Sequence, residues 1–329
     1  MNEIYYYIIT LVAVFAITAI ATRRLIPFLK GKKLGQVILD IGPRWHKSKE
    51  GTPTMGGLAF VGATVIVCAI MGSVAYFENT ISNLLPMIFT VLFALANAIV
   101  GIIDDLTKFK NTRNEGLTPL QKLVLQTVFA AAYIALMQIY GFIDTSLYIP
   151  YVGATVDLGF VYYFLAMLLI LGVVNFANLT DGLDGLASTV ALIIGFFFAA
   201  VAMRSESISL VILSAAISGS ALGFLVYNFY PARIFMGDTG SLFFGALTVG
   251  CAFMINNPLI IVITGIVYVI EGLSVILQVT SYKLTGKRIF KMAPIHHHFE
   301  KCDWSEIRIV IAAAVVTLLF SAAAWFGIK

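Results

Sequence analysis

Long apolar runs separated by short polar stretches recur along the chain. Windows of the length needed to cross hydrocarbon, roughly 17 to 25 residues, fall at 4–22, 58–77, 84–103, 123–140, 160–177, 186–203, 208–228, 241–256, 258–282 and 307–327. The runs are continuous rather than alternating, and a bilayer admits only helices or closed barrels. They predict an all-α integral membrane protein of about ten transmembrane helices. The window 258–282 holds Glu271 and two glycines, which marks it for a break. One connection differs: SLYIPYVGATVDLG alternates around a glycine and predicts a small surface hairpin near 146–158. Without a convincing repeat or low-complexity stretch, 1–329 reads as one polytopic domain.

Composition agrees with this. Hydrophobic residues are 60% of the chain and charged residues 12%, about half the charged share of a soluble domain. Mean hydropathy is +0.95. Of the 21 Lys and Arg residues, all but Arg204 and Lys329 fall in one alternate set of loops. Cytoplasmic loops collect such residues, so both termini are expected outside and the number of spans even. The net charge of +4 then reflects topology and anionic lipid, and nucleic-acid binding is not expected. The first residues lack the basic region of a cleaved leader, and no processing is expected. Cys68 and Cys251 lie in predicted spans and Cys302 in an inside loop, so no disulfide framework is implied.

The chemistry gathers on the inside loops. Asp104 and Asp105 follow AIVGII, Asp181 and Asp184 sit in NLTDGLDG, and Asp238 sits in FMGDTGS. Any one of these reads as a helix cap or turn residue. Five carboxylates near hydrocarbon on one face argue instead for pairing, a cation or a wet cavity. All-oxygen ligands suit a hard cation, and Mg²⁺ bridges carboxylates to substrate phosphates. The loop GKRIFKMAPIHHHFE sets His296, His297 and His298 beside Lys283, Lys287, Arg288 and Lys291. Three consecutive histidines diverge in a helix or strand, so they fit phosphate donors or interfacial residues better than a three-His zinc site. In HKSKEGTPTMGG, Lys49 precedes hydroxyls and paired glycines at a helix start, an anion contact or a solvated basic face. Lys108 and Lys122 read equally as topological lysines. Glu271, with Gln278 two turns on, is the one acid inside a span. It is expected to face the bundle interior, breaking the helix near Gly272, steadying basic groups below it, or making a purely structural pair.

In this order, GTPTMGG, Asp104-Asp105, NLTDGLDGLA, FMGDTGS and MAPIHHHFE resemble the cytoplasmic-loop motifs of the polyprenyl-phosphate hexosamine-1-phosphate transferases. The last resembles the branch using a muramoyl-pentapeptide donor. The resemblance covers nearly the whole chain. It implies Mg²⁺-dependent transfer of phospho-N-acetylmuramoyl-pentapeptide from its UDP carrier to undecaprenyl phosphate, giving lipid I and UMP, on the cytoplasmic face of the bacterial inner membrane. It also implies a homodimer. By matching motif, Asp238 resembles the principal Mg²⁺ ligand, with Asp104, Asp105 or Asp184 as further ligands. Asp104, Asp105, Asp238 and His297 form the implied catalytic set, the Asp pair holding or activating the acceptor phosphate. Asp181 and Asp184 would lie against the metal or the uridine. Asn178, Phe235, Gly237 and Ser241 resemble nucleoside-pocket positions, Phe235 stacking on uracil. Lys49, Thr54, Gln278, Ala293 and His296 resemble further donor contacts, joined by Lys108, Lys122 and His298, while Asn175 and Asn228 would support the metal site. The alternatives are a sibling transferase using UDP-N-acetylglucosamine and, from another class, a secondary transporter. A transporter would place its polar groups near the bilayer midplane.

Overall fold

The computed structural model describes residues 2–32, 49, 51–81, 83–110 and 116–328, with side chains omitted at 109 and 110. Nine of the described helices are long and apolar enough to cross a membrane. They are α1 (Glu3–Gly31), α2 (Gly57–Phe77), α3 (Leu85–Lys110), α4 (Pro119–Ile139), α5 (Val161–Thr180), α6 (Leu186–Arg204), α7 (Ile208–Asn228), α10 (Ile266–Thr285) and α12 (Glu306–Trp325). The expected all-α membrane architecture is the observed one.

The tenth window is α8 (Gly237–Met254), which starts four residues before the predicted 241 and inside FMGDTGS. Its first turn carries Asp238, which dilutes its hydropathy, yet α8 is buried throughout from Thr239 to Phe253. It stands at the centre with α7, which is buried along most of its length. Helix α1 lies on α7, while α3 and α5 flank α8. The window 258–282 is indeed broken, but at Gly265 rather than near Gly272, giving α9 (Ile260–Thr264) and α10. Gly272 lies within α10 and packs on the Phe176 ring.

Helix ends overrun the apolar windows where backbone bonding continues into polar sequence. α1 runs on through Arg23, Arg24 and Lys30 to Gly31, and α3 runs through both aspartates. The histidine triplet lies on a short helix, α11 (Ile295–Glu300), that the apolar pattern did not predict.

The hairpin is present as β1 (Ser146–Ile149) antiparallel to β2 (Ala154–Asp157), with Ser146 opposite Asp157. It shares one end of the bundle with both described chain ends. Near the N-terminus the Tyr6 hydroxyl donates to Glu78 at 2.8 Å, beyond the end of α2. Near the C-terminus the Gly327 carbonyl accepts from Asn257 at 3.2 Å. The opposite end gathers the last turns of α3, α5, α7 and α10, the first turns of α4, α6, α8 and α12, and α11. The motif residues lie there.

Candidate active site

Three carboxylates meet where α3 ends against the start of α8. Asp104, Asp105 and Asp238 each offer an oxygen within 4.8 Å of the others. Among the described residues this is the one such grouping of three or more potential metal-ligating side chains. It contains no imidazole or thiolate.

Local structure explains why they converge. Asp105 is buried, and from α3 its carboxylate meets the first amides of α8. It accepts from the Asp238 and Thr239 amides at 3.2 and 3.0 Å and from the Thr239 hydroxyl at 2.7 Å. A carboxylate there satisfies amides that have no partner within the helix and complements the helix dipole. Asp105 thus caps a helix, not its own but the one that carries Asp238, 133 residues further along the chain, and this contact holds Asp238 beside α3. Asp104 in turn accepts from the Leu117 amide at 2.9 Å, tying the stretch before α4 to the cluster.

Two ammonium groups answer the negative charge. Lys108 lies 2.6 Å from Asp104, 3.3 Å from Asp238 and 3.9 Å from Asp105. Lys122 donates to Asp238 at 2.7 Å and to Asn178 at 3.0 Å. Its position follows from the start of α4, where Thr118 and Gln121 form a reciprocal capping box with Pro119 in the first turn. Asn178 completes the cradle, donating to Asp238 at 3.0 Å and to Ser241 at 2.8 Å. Lys108 and Lys122, ambiguous as sequence, are thus direct partners of the carboxylates.

Gly237 adopts φ +69, a left-handed conformation that disfavours side chains. A Cβ there would stand 2.6 Å from Asp105 Oδ2 and 2.9 Å from Thr54 Oγ1. Gly237→Ala is accordingly expected to cost about 1–3 kcal/mol in backbone strain and to displace Asp105. The measurement is thermal unfolding alongside turnover, both of which should fall. Phe235 is half-buried, its backbone zipped to the first motif by Phe235 N to Pro53 O at 2.9 Å and Gly56 N to Phe235 O at 2.8 Å.

A second charged group lies on the neighbouring loop. Lys49 bridges Asp184 at 2.7 Å and Glu306 at 2.6 Å. Desolvation lowers the pKa of its ammonium, but the hydrogen bonds to Asp184 and Glu306 outweigh this and hold it above its ordinary value. Asp184 also accepts from the Ala232 amide at 2.9 Å and stands outside the three-carboxylate group. Between the two groups lies Asp181, just past the end of α5. Burial, and then the nearby Asp238, Asp105 and Asp184 charges, push its carboxyl well above the usual range.

The three histidines take different partners, although the His296 and His297 ring centroids lie 4.1 Å apart. His296 Nδ1 lies 2.9 Å from Glu271 and His297 Nδ1 lies 2.6 Å from Glu300. His298 Nδ1 accepts from the Lys291 amide at 3.1 Å. Ala293 precedes this short helix through a cis peptide bond to Pro294.

Other expected contacts serve the framework in this structure. Asn175 donates to Gln126 and Leu171, away from the carboxylates. Asn228 accepts from Ser188 and donates to the Ile234 carbonyl, shaping the loop before α8. Gln278 clamps the backbone of Ile289 and Phe290. Sequence reasoning missed Glu306 and Thr239. Glu306 follows the Ser305 cap of α12 and reads as an ordinary first-turn acid. Thr239 is masked by the aspartate beside it.

A membrane-embedded helical bundle with an oxygen-only acidic cluster matches a known class of enzyme: the glycosyl transferase family 4 model fits residues 87–256. Residues 49–61 match the phospho-N-acetylmuramoyl-pentapeptide-transferase signature 1. Proteins of that name from Clostridium perfringens strain SM101 and Bacillus subtilis strain 168 are 43% and 42% identical to the chain, each alignment covering 95% of it and 94% of the relative. The relative from Caldicellulosiruptor bescii is 41% identical over the same shares. The chain therefore belongs to the phospho-N-acetylmuramoyl-pentapeptide-transferase family, as a multi-pass bacterial membrane transferase.

Proposed function

We propose that this chain transfers phospho-N-acetylmuramoyl-pentapeptide from its UDP-linked donor to undecaprenyl phosphate, forming lipid I and UMP, at the cytoplasmic face of the membrane. The observation that carries this reading is the meeting of Asp104, Asp105 and Asp238 with Lys108 and Lys122 at one end of an apolar bundle. Among the described residues, that end holds nearly all the Lys and Arg, which favours its lying on the cytoplasmic side. A soluble pyrophosphate can reach such a site from water while a lipid-borne phosphate reaches it from the bilayer.

The donor set fits Mg²⁺: three carboxylates, no softer ligand, and one oxygen from each within 4.8 Å. Asp104, Asp105 and Asp238 would hold the ion, which when bound supplies charge neutralisation for phosphate oxygens. The protein's own groups do the positioning. Lys108 and Lys122 offer ammonium groups to phosphate oxygens, and Asn178 and Ser241 keep Asp238 in place. An oxygen of the acceptor phosphate attacks the sugar-bearing phosphorus of the donor. The P–O bond to the uridine-linked phosphate breaks, and UMP departs with the bridging oxygen. A phosphate monoester is nucleophilic enough near neutral pH that no covalent aspartyl intermediate is needed. The reading also includes a homodimer, on the family resemblance alone.

Purified protein incubated with undecaprenyl phosphate and either UDP-N-acetylmuramoyl-pentapeptide or UDP-N-acetylglucosamine tests the substrate assignment. UMP should appear with the first donor. Release from UDP-N-acetylglucosamine alone would overturn it.

A further inference from the structure

Glu271 and His296 form a closed pair that the transfer chemistry leaves unexplained. Both are almost wholly buried, at 3% and 1% exposure. A carboxylate in such a place requires a partner, and here a single oxygen, Oε2, serves the backbone amide of His296 at 3.4 Å and its ring Nδ1 at 2.9 Å. An ionised carboxylate only accepts hydrogen bonds, so Nδ1 carries the proton in this pair. That leaves Nε2 as the ring nitrogen with work to do.

Nε2 is enclosed and has no hydrogen-bond partner among the described residues. It is aimed at Gly182, where an added Cβ would overlap the imidazole, standing 2.5 Å from Cε1. Gly182 lies in the NLTDGLDG loop between Asp181 and Asp184, alongside both charged groups of the site. A histidine kept only to neutralise a buried glutamate has no use for a second nitrogen pointed at that loop, and buried polar atoms are rarely left unpaired. Taking the transferase reading above as its basis, we propose that Glu271 is a positioning residue. It fixes the orientation and tautomer of His296 so that Nε2 meets a polar group of the UDP-linked donor.

The test is steady-state kinetics with KM measured separately for the UDP-linked donor and for undecaprenyl phosphate, together with thermal unfolding of each variant. His296→Asn keeps an amide N–H near Glu271 but removes Nε2, and should raise the donor KM at least tenfold with the acceptor KM unchanged. Glu271→Leu should do the same, whereas Glu271→Gln, which still accepts from Nδ1, should stay within about threefold of wild type. An unchanged donor KM in His296→Asn would overturn the proposal. So would equal losses in Glu271→Gln and Glu271→Leu, or both KM values rising together as the melting temperature falls, since these mark a structural pair. A wild-type protein that releases no UMP from the muramoyl-pentapeptide donor would sink the transferase reading and this inference with it, whereas normal wild-type turnover with unaltered variants would sink the inference alone.

Discussion

Asp238→Asn is expected to lower turnover by about 10³-fold or more while leaving the melting temperature within a few degrees of wild type. Asp238 is contacted by Lys122 at 2.7 Å, Lys108 at 3.3 Å and Asn178 at 3.0 Å, and it stands in the three-carboxylate group. The amide keeps the shape and part of the hydrogen bonding but removes one of three charges. Metal-assisted charge stabilisation amounts to several kcal/mol, and each 1.36 kcal/mol is a factor of ten in rate. Folding is insensitive for a separate reason: the amides that begin α8 are held by Asp105, not by Asp238. UMP release and thermal unfolding on the same preparation check both halves. Near-normal activity would remove Asp238 from the reaction.

Chelation is expected to have a comparable effect. EDTA should silence the enzyme and added Mg²⁺ should restore it, because three clustered carboxylates repel a pyrophosphate and an acceptor phosphate unless cations offset them. Lys108 and Lys122 offset only part of the charge once two phosphorylated reactants enter. Titrating UMP release against free Mg²⁺ after chelation measures this directly. Full activity in excess chelator would discard the metal.

Hydropathy made most of the fold legible, since the transfer of side chains into hydrocarbon is what the windows measure. Helix ends were less legible because backbone hydrogen bonds and caps determine them. α8 begins at Gly237, where Asp105 waits to cap it, and the broken span yields at Gly265, with the Phe176 ring packed on an uninterrupted turn at Gly272. The acidic motifs pointed to one face, yet their grouping depended on three dimensions. Asp184 stood with Asp104 and Asp105 as a further candidate ligand beside Asp238, but Lys49, Glu306 and the Ala232 amide hold it in a group of its own. Asn175, Asn228 and Gln278 carry the same side-chain chemistry as a binding residue, and the framework partners they hold in this structure could not be read from sequence. Glu271 was recognisable as an anomaly because an acid within a span demands a partner. Its identity, His296, came from the fold.

Asp104, Asp105 and Asp238 are proposed to share one cation between the two phosphorylated reactants. Anomalous scattering from Mn²⁺ in crystals grown with UMP tests it most directly, since Mn²⁺ accepts the same oxygen ligands as Mg²⁺. A peak is expected within bonding distance of carboxylate oxygens from this group, lost in Asp238→Asn. A peak bound elsewhere, with none of the three carboxylates within bonding distance of it, would overturn the shared-cation proposal.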